Sequence, residues 1–76
     1  MEINWTVEYS LNISEGELEA MVEDANDYMR KGYEREDAVY EAVNGYLQGQ
    51  DDCIYYSITE EASQQIEDAV NKLLTE

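Results

Sequence analysis

Residues 3–13 alternate apolar and polar positions without a break. Ile3, Trp5, Val7, Tyr9, Leu11 and Ile13 take one face, and Asn4, Thr6, Glu8, Ser10 and Asn12 take the other. A period of two sustained over that length predicts one strand with one buried side. At Ser14 the period changes. Ser14-Glu15-Gly16-Glu17 fits a capping box, in which the serine side chain and the glutamate side chain each satisfy the other's orphan amide. Leu18, Met21, Val22, Ala25, Tyr28 and Met29 then recur at helical spacing. Arg30 and Lys31 fall where the helix dipole favours cations, and Gly32 supplies a left-handed stop. The first helix is expected over about residues 15–31.

A second helical pattern starts near Glu34, with Ala38 or Val39, then Ala42, Val43, Tyr46 and Leu47 inward. Gly45 weakens it and Gly49 ends it. After a loop at Asp51 and Asp52, residues 53–58 read as a shorter strand with Ile54, Tyr56 and Ile58 on one face. Thr59 then caps a third helix striped by Ala62, Ile66, Ala69, Val70, Leu73 and Leu74. The expected order is β-α-α-β-α, a single α+β domain over residues 1–76 in which a small two-stranded sheet packs against three helices. The two strands differ in length. The first would reach about 36 Å and the second about 20 Å at roughly 3.3 Å per residue. The excess of the first would bend away or pair with a second copy, so a homodimer through that strand is one expectation.

Charge changes this picture most. Nineteen acids face four bases, for a formal net charge of −15 in 76 residues. A magnitude of roughly 2–8 keeps a small domain dissolved, and the excess costs stability through self-repulsion. Such a chain disfavours nucleic acid and anionic membranes as direct partners and favours basic proteins. The one cysteine, Cys53, rules out an intrachain disulfide and is expected as a half-buried strand residue in a reducing compartment. With no signal-like apolar run and no stretch of the roughly 20 apolar residues that span a bilayer, the expected location is the cytoplasm.

The same inventory argues against an enzyme. Histidine is absent, so no serine–histidine or cysteine–histidine pair can form. Asp51 and Asp52 beside Cys53 would raise a thiol pKa rather than lower it. The acids lack the spacing of a calcium loop, no glycine-rich phosphate loop is present, and neither a metal nor a cofactor is implied. Trp5, Tyr9, Tyr28, Tyr46 and Tyr56 fall at core periodicities. Tyr33, Tyr40 and Tyr55 do not, which makes them candidates for a contact surface, where aromatics concentrate.

The acids are ordered. Glu15, Glu19, Glu23 and Asp27 stand at successive i, i+4 positions, one column with steps of about 6 Å. Glu17 and Asp24 widen it. Six acids over residues 15–27 give about one charge per 3 Å of helix axis, against roughly 3.4 Å for one DNA strand. Glu34, Asp37 and Glu41 form a second row beside Glu36. Asp51 and Asp52 extend the field, and Glu60, Glu61, Glu67 and Asp68 continue it on the last helix. Three of the four bases, Arg30, Lys31 and Arg35, gather at the first helix–helix turn, leaving Lys72 apart.

In size, charge and the carboxylate density of its helices, the chain resembles the small phage-encoded inhibitors of host defence, the DNA-mimic anti-restriction proteins and acidic anti-CRISPR proteins. That resemblance implies the rows Glu15/Glu19/Glu23/Asp27 and Glu34/Asp37/Glu41 as phosphate mimics, with Asp24, Asp51, Asp52, Tyr33 and Tyr40 as further contacts. It implies a CRISPR effector or restriction enzyme as partner, DNA binding as the function blocked, and the host cytoplasm as the location. The competing expectations are an antitoxin-like or regulatory subunit for another basic protein, and a structural homo-oligomer.

Overall fold

The computed structural model describes residues 1–5 and 9–74. The alternating segment is not one strand. It folds back on itself as two short antiparallel strands, β1 (Glu2–Asn4) and β2 (Ser10–Asn12), in the register Glu2↔Asn12, Ile3↔Leu11 and Asn4↔Ser10. The ladder continues at both ends. The Trp5 N–H donates to the Tyr9 carbonyl at 3.4 Å, and the Ile13 N–H donates to the Met1 carbonyl at 2.7 Å. This corrects the single strand expected over residues 3–13, but not its faces. In this register every pair sums to fourteen, so odd residues oppose odd residues and share one side of the sheet. Ile3, Leu11 and Ile13 are buried and Trp5 and Tyr9 half-buried, as the alternation required. The expected inner position Val7, with Thr6 and Glu8, lies outside the described residues. The hairpin gives the first strand its own partner, so the length mismatch that motivated a dimer disappears.

Four helices follow. α1 (Glu15–Arg30) opens on the expected capping box. The Glu17 backbone N–H donates to Ser14 Oγ at 3.2 Å, and the Ser14 N–H donates to Glu17 Oε1 at 2.9 Å. It closes at Lys31, after which Gly32 takes φ +107°, the left-handed conformation that glycine enters without penalty. α2 (Arg35–Gln48) buries Ala38, Val39, Ala42, Val43 and Leu47. α4 (Glu60–Leu73) starts where Thr59 Oγ1 accepts from the Ala62 N–H at 3.1 Å, and buries Ala62, Ile66 and Val70. Leu74 just beyond it is also buried, whereas Leu73, expected inward, is 52% exposed.

The second expected strand is a helix. Residues 52–57 form α3 (Asp52–Ser57), so the expected order β-α-α-β-α becomes β-β-α-α-α-α. The sheet is still two-stranded and the class is still α+β. Over six residues a period of two and a helical period agree on Ile54 and Ile58, and both of these do turn inward. They differ at the position between. Tyr56, the third member of the supposed strand face, is 80% exposed, and Cys53 is exposed as well rather than half-buried.

α1, α2 and α4 pack against one another, β1 touches α4, and α3 rests on α2. The shared core is aliphatic, with Ile3, Ile13, Met21, Val39, Val43, Ile66 and Val70 almost fully enclosed, and no polar or charged side chain is buried with them among the described residues. Each such side chain is worth about 1.5–3 kcal/mol relative to exposure. Two polar ties fix the edges of this packing. Trp5 Nε1–H donates to Ser57 Oγ at 3.1 Å, joining the hairpin to α3. Arg35 donates to Asn71 Oδ1 at 3.1 Å and to the Asn71 carbonyl at 2.9 Å, joining the start of α2 to the end of α4. The molecule is a short rod of 38 × 19 × 19 Å.

Candidate protein-binding surface

Because α1 turns Leu18, Met21 and Ala25 to the core, its opposite side must face water. Glu15, Glu19, Glu23 and Asp27 lie on that side and all are exposed, as is Asp24. The column therefore stands in solvent as an unbroken row. Its ends are not equivalent. Near the start, Glu15 and Glu19 border a shallow hollow shared with Lys72 and Leu73 of α4. At the far end Asp27 pairs with Arg30, the one ion pair among the described residues.

Glu17 points away from this row. Its Oε1 is held by the Ser14 amide, and its Oε2 accepts a hydrogen bond from the Tyr46 hydroxyl at 3.1 Å. Those hydrogen bonds, the Ser14 backbone first and Tyr46 second, hold the Glu17 carboxyl below the usual carboxylate range. Tyr46 responds in the opposite sense. Burial first, then the Glu17 carboxylate, push its phenol up to about 12. Glu17 thus serves the fold and is not available to a partner as a free charge.

On α2, Glu34 precedes the first turn as its N-cap residue, without a capping hydrogen bond from its side chain, and is exposed. Asp37 is exposed and Glu41 half-buried. Asp51 and Asp52 are exposed at the start of α3. The two rows ride on separate helices. The tyrosines divide likewise. Tyr33 is 43% exposed but folds onto Tyr28, ring centroids 4.9 Å apart, beside the α1 terminus. Tyr40, 55% exposed, faces a different region and meets Tyr55 across an open depression between α2, α3 and α4. Tyr56 lines the same depression. Its membership was missed because a strand reading sent it to the core.

The bases do little to offset the acids. Arg30 is taken by Asp27 and Arg35 by Asn71, and Lys31 sits 5.4 Å from the Tyr28 ring centroid. One acid carries a visible sign of crowding. Burial, then the neighbouring Asp68 charge, hold the Glu67 carboxyl above the usual range. Among the described residues no three acids or cysteines converge in a way that would hold a metal ion, and no helix is long and apolar enough to cross a membrane. Compared with models of protein families, with curated proteins and with solved structures, the chain finds no match in any of the three.

Proposed function

We propose that this protein is a DNA mimic, an acidic inhibitor that occupies the nucleic-acid channel of a host defence protein, and most concretely an anti-CRISPR protein that blocks DNA binding by a CRISPR effector. The observation that carries this reading is charge per length. A net charge of −15 along a 38 Å rod is about one per 2.5 Å, between the roughly 3.4 Å of one DNA strand and the roughly 1.7 Å of a duplex. The acids are also largely unpaired, since a single ion pair, Asp27 with Arg30, forms among the described residues. A channel lined with arginine and lysine to cradle phosphates would meet comparable density on the exposed row Glu15/Glu19/Glu23/Asp27. The flanking Asp24 would reinforce that row, and Glu34, Asp37, Glu41, Asp51 and Asp52 would extend the field.

The mechanism is competitive occlusion. Long-range attraction gives fast association at low salt, and screening weakens the complex as salt rises. The test is target-duplex binding by a purified effector in the presence of this protein. Inhibition should fall with added salt and be relieved by excess duplex. Glu19→Lys with Glu23→Lys should abolish it while far-UV circular dichroism stays unchanged, because both side chains are exposed. Full inhibition by a folded double variant would end the phosphate-mimic assignment.

A further inference from the structure

The open depression between α2, α3 and α4 has a volume of about 710 Å3, within the roughly 300–1,000 Å3 typical of sites that receive a discrete group. Its chemistry is segregated. One wall is aromatic, with Tyr40 from α2 and Tyr55 and Tyr56 from α3. The last two meet edge to face, centroids 5.0 Å apart and planes at 70°. The floor is aliphatic, from Val43, Leu47 and Ile58. The facing wall is α4, which contributes the Glu60 and Glu67 carboxylates, and no basic side chain lines any part of it.

Open tyrosine faces carry the negative side of the ring quadrupole and attract cations, as carboxylates do. Both walls therefore select for one sign. A nucleic acid would bring phosphates against Glu60 and Glu67, and a second copy of this chain would bring a further −15. A bare metal ion gains little from rings and aliphatic carbons. A cationic side chain suits all three surfaces. Its methylene stem covers Val43, Leu47 and Ile58, its head lies over the rings, and a carboxylate neutralises it. Arginine fits better than lysine because its planar guanidinium stacks on an aromatic face while pairing with a carboxylate at its edge. The Glu67 carboxyl, crowded by burial and by Asp68, makes no ion pair among the described residues and would gain one.

We propose that this groove docks an arginine-bearing segment of a protein partner, with the guanidinium over Tyr40 and Tyr56 and held by Glu60 or Glu67. Like the mimic reading, this calls for a basic partner. It uses residues outside the α1 row, however, and does not require that the partner bind nucleic acid.

The probe is an acetylated, amidated tetra-arginine peptide, compared with its citrulline counterpart of equal shape and no charge. Both are titrated into the full chain by NMR at about 0.15 M salt, where the Debye length is about 8 Å and diffuse attraction is damped. Saturable shifts should centre on Tyr40, Tyr55, Tyr56 and Ser63 with the arginine peptide and be absent with citrulline. Tyr40→Leu with Tyr56→Leu keeps the net charge but removes both ring faces, and should weaken binding about tenfold. Tyr40→Phe with Tyr56→Phe should restore it. Both tyrosines are largely exposed, so these variants should fold. Glu60→Gln with Glu67→Gln tests the same groove from its other wall and should also weaken binding. Shifts confined to α1 or spread without saturation would overturn the proposal, as would unweakened binding by the leucine variant. Groove shifts that appear on concentrating the protein alone would overturn it too, assigning the groove to a second copy. Glu19→Lys with Glu23→Lys should leave these groove shifts in place, so loss of DNA mimicry and loss of the groove are read separately.

Discussion

Glu17 is the residue on which most local structure converges, since it completes the α1 cap, receives the Tyr46 hydroxyl and so links α1 to α2. Its lowered pKa means that the folded state holds this proton less readily than the unfolded chain does. That contribution to stability is complete above the ordinary carboxylate range and is lost as pH falls through the folded-state value. Tyr46 has the complementary sign. With its phenol raised to about 12 from 10.0, its contribution is complete below the unfolded value and is lost as pH rises through about 12. Two measurements follow from this one contact. In a spectrophotometric titration Tyr46 should ionise at about 12, and Tyr46→Phe should delete that step. Ser14→Ala removes the side-chain acceptor of the same cap and should cost about 1 kcal/mol. For a domain of this size that is a fall in Tm of roughly 4–8 °C. A Tm unchanged by Ser14→Ala would mean that the α1 start is held by packing alone.

At the scale of elements, two glycines with the same empty surroundings should respond oppositely to the same substitution. A Cβ added at Gly32 or at Gly45 would meet no atom of the surrounding structure within 4 Å, so packing against neighbours decides neither case. Gly45 lies inside α2, where glycine costs about 0.5–1 kcal/mol relative to alanine, so Gly45→Ala should raise the Tm. Gly32 sits at φ +107° after α1, a conformation that an L side chain rarely adopts, so Gly32→Ala should lower it. Shifts of the same sign would show that one of these backbone assignments is wrong. Both glycine roles were readable in the sequence, as were α1, α2 and α4. In each, an inward stripe ran long enough to fix the period, and Ser14 and Thr59 marked two of the starts. The hairpin was not readable, because its register preserves parity, and Trp5-Thr6-Val7-Glu8-Tyr9 holds none of the glycine, proline or asparagine that announces a turn. α3 was not readable because Ile54 and Ile58 satisfy both periods, and only the burial of Tyr56 distinguishes them.

The whole molecule sets stability against recognition. The exposed acid row of α1 follows directly from the core stripe, since an outward face is whatever the inward stripe leaves, and so this part of the candidate surface was legible from residue spacing. The aromatic groove was not, because it is assembled from three helices and depends on α3 being a helix. The α1 row holds three like-charged i, i+4 pairs, Glu15/Glu19, Glu19/Glu23 and Glu23/Asp27, each costing roughly 0.2–0.5 kcal/mol. Glu19→Gln with Glu23→Gln removes all three and should therefore stabilise the fold by roughly 0.6–1.5 kcal/mol, with the gain shrinking as salt screens the repulsion. In the wild type, raising salt from low concentration to about 0.15 M should itself raise the Tm, because screening relieves the repulsion of a −15 chain. The same screening should weaken a complex built on the row. A proposed DNA mimic is thus expected to be most stable where it binds worst, and the double glutamine variant should be firmer than wild type yet a poorer inhibitor. The check is a pair of curves, Tm and inhibition against salt, for wild type and variant. Opposed slopes in the wild type, both flattened in the variant, support a row that acts as free charge. A double variant that loses stability would instead assign Glu19 and Glu23 to contacts within the fold.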